Sequence, residues 1–252
     1  MPIRMPFVYI LKRDVLKVGA LLFLGFFFVM KREANFDSII MKLGITTKWR
    51  KKEMEGHMKY QPLPKEFFQK PTLELAKALL GCLLVKETEE GIASGFIVET
   101  EAYMGPTDRA AHSYGNRRTK RTEIMFHEAG LAYTYVMHTH CLFNVVSGGK
   151  EQPEAVLVRA LEPYDGIGLM FQRRSKIKDV RQLTNGPGKL TKALGITMAD
   201  YGRPLQKPPL FIAKGFVPEA ISQGKRIGIE NTGEAKDYPW RFWVSGNRFV
   251  SK

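Results

Sequence analysis

Gly95-Phe96-Ile97-Val98-Glu99-Thr100-Glu101-Ala102-Tyr103-Met104-Gly105-Pro106 is a β-rich apolar run that ends in two carboxylates and an aromatic ring. Read as a regular strand, residues 97, 99, 101 and 103 share one face and residues 96, 98, 100 and 102 the other. Glu99, Glu101 and Tyr103 then stand side by side, and Gly105-Pro106 ends the run. A carboxylate beside an aromatic platform can activate water against a stacked ring, although alternating Glu residues also suit a solvated sheet edge. Regular geometry does not choose between Glu99 and Glu101.

Working outward, Pro71 to Gly81 reads as a capped helix, with Thr72 near its N-terminus, Leu and Ala at helical spacing, and Gly81 past its end. Cys82 to Lys86 begins a strand that turns at Glu89-Glu90-Gly91 into the quoted segment, forming a hairpin. Further strands fit Leu131 to Met137, Ala155 to Leu161 and Tyr238 to Val244; helices fit Asp165 to Arg174 and Lys189 to Leu194, the second closed by Gly195. Strands joined by short loops, without regular βαβ alternation, predict an α+β single domain on an antiparallel sheet with peripheral helices.

The chain has 252 residues, 44% hydrophobic and 25% charged, enough to bury a sizeable core and too apolar for a disordered protein. Its net charge of +14 points to a polyanionic partner, nucleic acid or an anionic membrane surface. Residues 1–58 differ from the rest: they hold 11 Lys/Arg and 5 Asp/Glu and contain an uncharged run from Val18 to Met30, while residues 59–252 keep a net +8. As a helix that run spans roughly 20 Å, short of a hydrocarbon core of about 30 Å. No small-x-small cleavage site follows it, which argues against export. Residues 1–58 are therefore read as a leader outside the domain, either membrane-associating or, as favoured, translated upstream of a true start at Met54 or Met58. No stable membrane partner is expected. The two cysteines, Cys82 and Cys141, form no CxxC pair and fit a reducing cytoplasm rather than a disulfide scaffold.

Glu99-Thr100-Glu101-Ala102-Tyr103, Ala110-Ala111-His112-Ser113, Tyr133-Thr134-Tyr135, Arg159-Ala160-Leu161-Glu162-Pro163, Asn185 to Leu190 and Arg241-Phe242-Trp243-Val244, taken in order, resemble the alkyladenine, or 3-methyladenine, DNA glycosylases. The resemblance runs from about Pro62 to Val250 and leaves the leader outside. It implies one domain around a curled antiparallel sheet, acting as a monomer on double-stranded DNA that contains damaged purines, in the cytoplasm at the nucleoid. Such an enzyme must take the nucleotide out of the stack before cutting its glycosidic bond. By resemblance, Tyr103 and Tyr135 sandwich the extruded base, His112 contacts its edge, and Asn144 crowds the exocyclic amino group of normal guanine. Glu101 matches the general base. Arg159 and the backbone carbonyl of Val244 match the groups that hold the attacking water.

The family's intercalating tyrosine falls on Met137 or His138, neither of which is tyrosine; on a regular strand one of the two reaches the duplex and the other packs inward. Arg117, Arg118, Lys120 and Arg121 suit the DNA backbone, and Gly186, Gly188 and Lys189 suit a phosphate at a helix N-terminus. His138, His140 and Cys141 are potential metal ligands, but no second cluster accompanies them. Neither a metal nor a cofactor is expected. The competing reading is a non-catalytic nucleic-acid-binding protein of the same fold.

Overall fold

The computed structural model describes residues 60–251. The leader expectations for residues 1–58 lie outside them. Eight strands form one antiparallel sheet: β1 Leu83–Thr88, β2 Gly91–Tyr103, β3 Ala132–Met137, β4 His140–Val146, β5 Ala155–Asp165, β6 Leu210–Ala213, β7 Ile221–Gly224 and β8 Arg241–Val244. They run in the order β3-β4-β5-β2-β1-β6, with β8 bridging β2 and β7. The helices are α1 Thr72–Ala78, α2 Ile167–Arg173 and α3 Pro187–Leu194. The sheet is curled into a half-barrel, and the chain is an α+β single domain over these residues.

β2 organises the fold. One edge pairs with β5 along nearly its whole length, while the other pairs with β1 from residue 91 to 96 and with β8 from residue 99 to 101. The change of partner coincides with a β-bulge, because Ile97 pairs with Leu161 and Glu99 with the next residue, Ala160, leaving Val98 extra. The bulge overturns the expected alternation. Ile97 and Ala102 enter the main core and Thr100 Oγ1 donates to the Ala76 carbonyl of α1, whereas Val98 packs with Ala160 and Phe249. Ile97 thus does not share a face with Glu99 and Glu101.

β3, β4 and the first half of β5, as far as Val158, keep strict alternation across the sheet. Ala132, Phe143, Val145, Val156 and Val158 join Leu75, Leu79, Leu190 and Leu194 in the main core, while Tyr133, Tyr135, Leu142, Ala155 and Leu157 form a second apolar layer. That second layer is the floor of the site described below.

Differences from the sequence reading have local causes. α1 ends at Ala78, and Gly81 comes later with φ +84°; a side chain there would meet the Phe216 carbonyl oxygen 2.2 Å from its Cβ. Thr72 does not cap α1: its hydroxyl lies 2.8 Å from Ser147 Oγ and also meets Glu154. β4 lies outside the strands read from the sequence, which stop at Met137 and resume at Ala155. The chain in fact reverses at His138-Thr139, with His138 at φ +56° and Met137 paired to His140.

Candidate active site

The end of β2 delivers Glu101 and Tyr103 into the mouth of the half-barrel. Glu101 is wholly buried. Its Oε1 accepts from the Ile227 backbone N–H at 2.7 Å and lies 3.3 Å from Arg159 Nη1; its Oε2 accepts from the Tyr103 hydroxyl at 2.9 Å. Burial pushes the Glu101 carboxyl above the ordinary range, and Glu99 adds to the rise; Arg159, the Ile227 N–H and Tyr103 oppose it. A raised carboxyl pKa is what a group needs to accept a proton near neutral pH.

Glu99 is buried as deeply but is saturated. It accepts from Arg159 Nε at 3.1 Å, Arg241 Nη1 at 3.1 Å, and the Ser251 N–H and hydroxyl at 2.7 and 2.9 Å. Arg159 therefore bridges the two carboxylates, with Nε on Glu99 and Nη1 on Glu101. Glu99 orients the arginine, and Glu101 lies behind the cavity.

That cavity, about 280 Å³, is lined by Tyr103, His112, Tyr133, Tyr135, Asn144 and Arg159 together with Met125, Leu142, Leu157, Met137 and Pro187, and is closed on one side by residues 227–232. Ligand pockets run from about 300 to 1,000 Å³, so this one suits a single planar ring better than a whole nucleotide. Glu101 sits directly behind its wall: three of its partners, Tyr103, Arg159 and Ile227, line the cavity.

The aromatic walls hold one another. His112 Nδ1 lies 2.8 Å from the Tyr133 hydroxyl, and its ring stands edge-on to Tyr135 with centroids 4.6 Å apart. Burial, with Arg121 and Arg117 nearby, lowers the His112 pKa to about 4, so the ring is neutral at physiological pH. Tyr135 is pushed up to about 12 by burial and by Glu101, and remains a phenol. Asn144 donates from Nδ2 to the Tyr133 carbonyl at 3.1 Å, which fixes its amide at the cavity floor.

The sequence-selected residues divide at this point. Glu101, Tyr103, His112, Tyr135, Asn144, Arg159 and Met137 are brought together. Val244 is not: it sits on β8 opposite Ile221, packed against the core and outside the cavity lining. The backbone that meets Glu101 belongs instead to Ile227, in an irregular loop where neither helical nor strand periodicity gave a signal. Met137 and His138 do not point to opposite faces of a strand. Val136 and Met137 are 52% and 45% exposed at the β3–β4 tip, and His138 occupies the turn itself.

Arg118 is not free for a phosphate: it pairs with Glu123 at 2.7 Å and Glu151 at 3.0 Å and lies over the Phe126 ring. Arg117, Lys120 and Arg121 are exposed, the last 6.0 Å from the Tyr135 ring. The small residues near Gly186 admit protein as well as any phosphate, since a Cβ on Gly188 would lie 2.7 Å from His140 Cβ in the hairpin. Lys189 Nζ donates to Asn185 Oδ1 at 2.9 Å. Among the described residues no group of three or more His, Cys, Asp or Glu is placed to hold a metal ion, and no helix is long and apolar enough to cross a membrane.

A neutral aromatic slot backed by a buried carboxylate and arginine, in a basic domain, defines a site for hydrolysis beside a planar ring. The sequence profile described as "Methylpurine-DNA glycosylase (MPG)" matches residues 66–248. A Bacillus licheniformis protein is 72% identical over 193 residues, covering 77% of this chain and 98% of the relative. A Bacillus subtilis protein is 68% identical over 191 residues, covering 76% and 97%, and one from Listeria monocytogenes is 47% identical over 190 residues, covering 75% and 92%. All three carry the name "Putative 3-methyladenine DNA glycosylase". The chain belongs to the methylpurine-DNA glycosylase family. Membership makes it a hydrolase of base-excision repair whose substrate is DNA.

Proposed function

We propose that this chain is a monofunctional glycosylase that extrudes alkylated or deaminated purines from duplex DNA and hydrolyses their N-glycosidic bond, leaving an abasic site. The observation that carries the reading is Glu101, buried with a raised pKa directly behind an aromatic cavity. The extruded base slides between Tyr103 and Tyr135, where stacking offsets part of the lost pairing. Neutral His112 and the amide of Asn144 meet its edge and discriminate by hydrogen bonding and shape. Glu101 takes a proton from water as the water attacks the sugar carbon, and Arg159 holds that water and steadies the carboxylate. An alkylated purine is often already cationic, so its departure needs no second carboxyl as acid; ordinary glycosidases use two.

Outside the cavity, Met137 at the hairpin tip fills the gap left in the stack, and Arg117, Lys120 and Arg121 hold the backbone. The domain acts as a monomer, and its +8 net charge over residues 59–252 supports DNA binding without the leader. The test is base release from labelled duplexes carrying 3-methyladenine, 7-methylguanine, hypoxanthine or ethenoadenine, with strand cleavage appearing only after alkali. Release of at least one of these, unaffected by EDTA, is expected. Binding without any release would favour a non-catalytic DNA-binding protein, and cleavage without alkali would refute the monofunctional assignment.

A further inference from the structure

Arg226 immediately precedes the residue whose N–H meets Glu101, and the proposed chemistry leaves it unused. It is fully buried, paired bidentately with Asp108 at 2.5 and 2.8 Å. Its guanidinium donates to the Ala102 carbonyl at 2.9 Å and to the Ala235 carbonyl at 3.1 Å. The cation also lies over two rings, 4.7 Å from the centroid of Tyr103 and 5.0 Å from that of Trp240. Asp108 in turn accepts from the backbone N–H groups of Met104 at 3.1 Å and Ala110 at 3.0 Å, tying down the segment that leads to His112.

One buried ion pair thus touches the end of β2, the Tyr103 ring, the loop that supplies Ile227 and the approach to His112. A buried pair of this kind adds little net stability, because desolvation offsets most of its Coulomb energy. Its contacts instead converge on the two working parts of the site. We propose that Arg226, clamped by Asp108, is a positioning residue that sets the Tyr103 ring and holds the Ile227 N–H on Glu101, registering the base platform with the water-activating carboxylate. This rests on Glu101 being the general base. Arginine suits the task because its planar fork pairs bidentately and stacks at the same time, which lysine does not.

The test is Arg226→Lys, which keeps the charge and loses the fork and the stacking face. The measurements are the pH profile of single-turnover excision and affinity for a lesion duplex. The groups facing Glu101 are Glu99 and Tyr103 from β2, Arg159 from β5, Tyr135 from β3 and the Ile227 N–H; the substitution directly alters only the hold on Tyr103 and Ile227. Losing the Ile227 hydrogen bond raises the Glu101 pKa, so the acid limb should move to higher pH by about one unit. Lesion affinity should fall about tenfold as the Tyr103 platform loosens. A wild-type acid limb with wild-type affinity overturns the proposal, whatever the melting temperature does. Should Arg226→Lys fail to fold, the pair Asp108→Asn with Arg226→Gln replaces the ions by amides and is read the same way. Glu101→Gln run alongside separates the two claims: normal excision by it removes the base assignment, whereas its inactivity beside an unshifted Arg226→Lys removes only the positioning role.

Discussion

Glu99→Gln separates the roles of the two carboxylates on β2. Glu99 receives four donors from Arg159, Arg241 and Ser251, and it is wholly buried. A glutamine offers one carbonyl oxygen, able to accept two of them, and sets an amide NH₂ against the others. The substitution therefore leaves Arg241 without the carboxylate it pairs with and Arg159 with Glu101 alone, a change that costs about 3–5 kcal/mol. For a domain of this size each kcal/mol moves the melting temperature by roughly 2–4 °C, so a fall of about 6–20 °C is expected. Differential scanning calorimetry with single-turnover excision well below the transition is the assay. Excision should stay within about tenfold of wild type, because Arg159 keeps its contact with Glu101. A Glu99→Gln protein that melts like wild type and has lost base release would show that Glu99 is the base and that the assignment is reversed.

Met137→Ala should slow excision of well-paired lesions several-fold more than of lesions in mismatched duplexes, with the melting temperature unchanged, because the side chain is half exposed at the hairpin tip. If His138→Ala gives that signature and Met137→Ala does not, the wedge is the turn residue. Removing residues 1–58 should leave excision intact. The affinity of the shortened protein should fall with added salt at a log–log slope of roughly −3, as expected for the three phosphate contacts of Arg117, Lys120 and Arg121; lost activity would make the leader functional.

The sequence shows the site better than it shows the fold around it. Glu101, Tyr103, Tyr135 and Arg159 lie on strands and His112 in the loop after β2, and their order along the chain carries the family resemblance. Two irregularities were invisible. The bulge at Val98 adds one residue to an otherwise unbroken apolar run, which no periodicity rule detects, and it decides which side chains join Glu99. The reversal at His138-Thr139 lacks the Asn-Gly or Asp-Gly pair that marks most two-residue hairpins, so nothing in the pattern marks β4 as the hairpin partner of β3 or places Met137 and His138 at its tip. Residues 227–232 wall the cavity without regular structure, and their role depends on the buried Arg226–Asp108 pair, whose partners are far apart in sequence. Val244 enters the site only through the family resemblance, and its place on β8 lies outside the cavity lining.

The most direct measurement is single-turnover base release by Glu101→Gln across a pH series, alongside its affinity for the same lesion duplex. The amide keeps the side chain's shape and cannot accept the proton, so binding should be wild-type, the rate lower by about 10²–10⁴-fold, and the acid limb of the pH profile lost. Because burial disfavours the charge on Glu101, the substitution should also leave the melting temperature at neutral pH unchanged or raised. A Glu101→Gln protein that releases the base at the wild-type rate, with the acid limb still present, would show that Glu101 is not the general base.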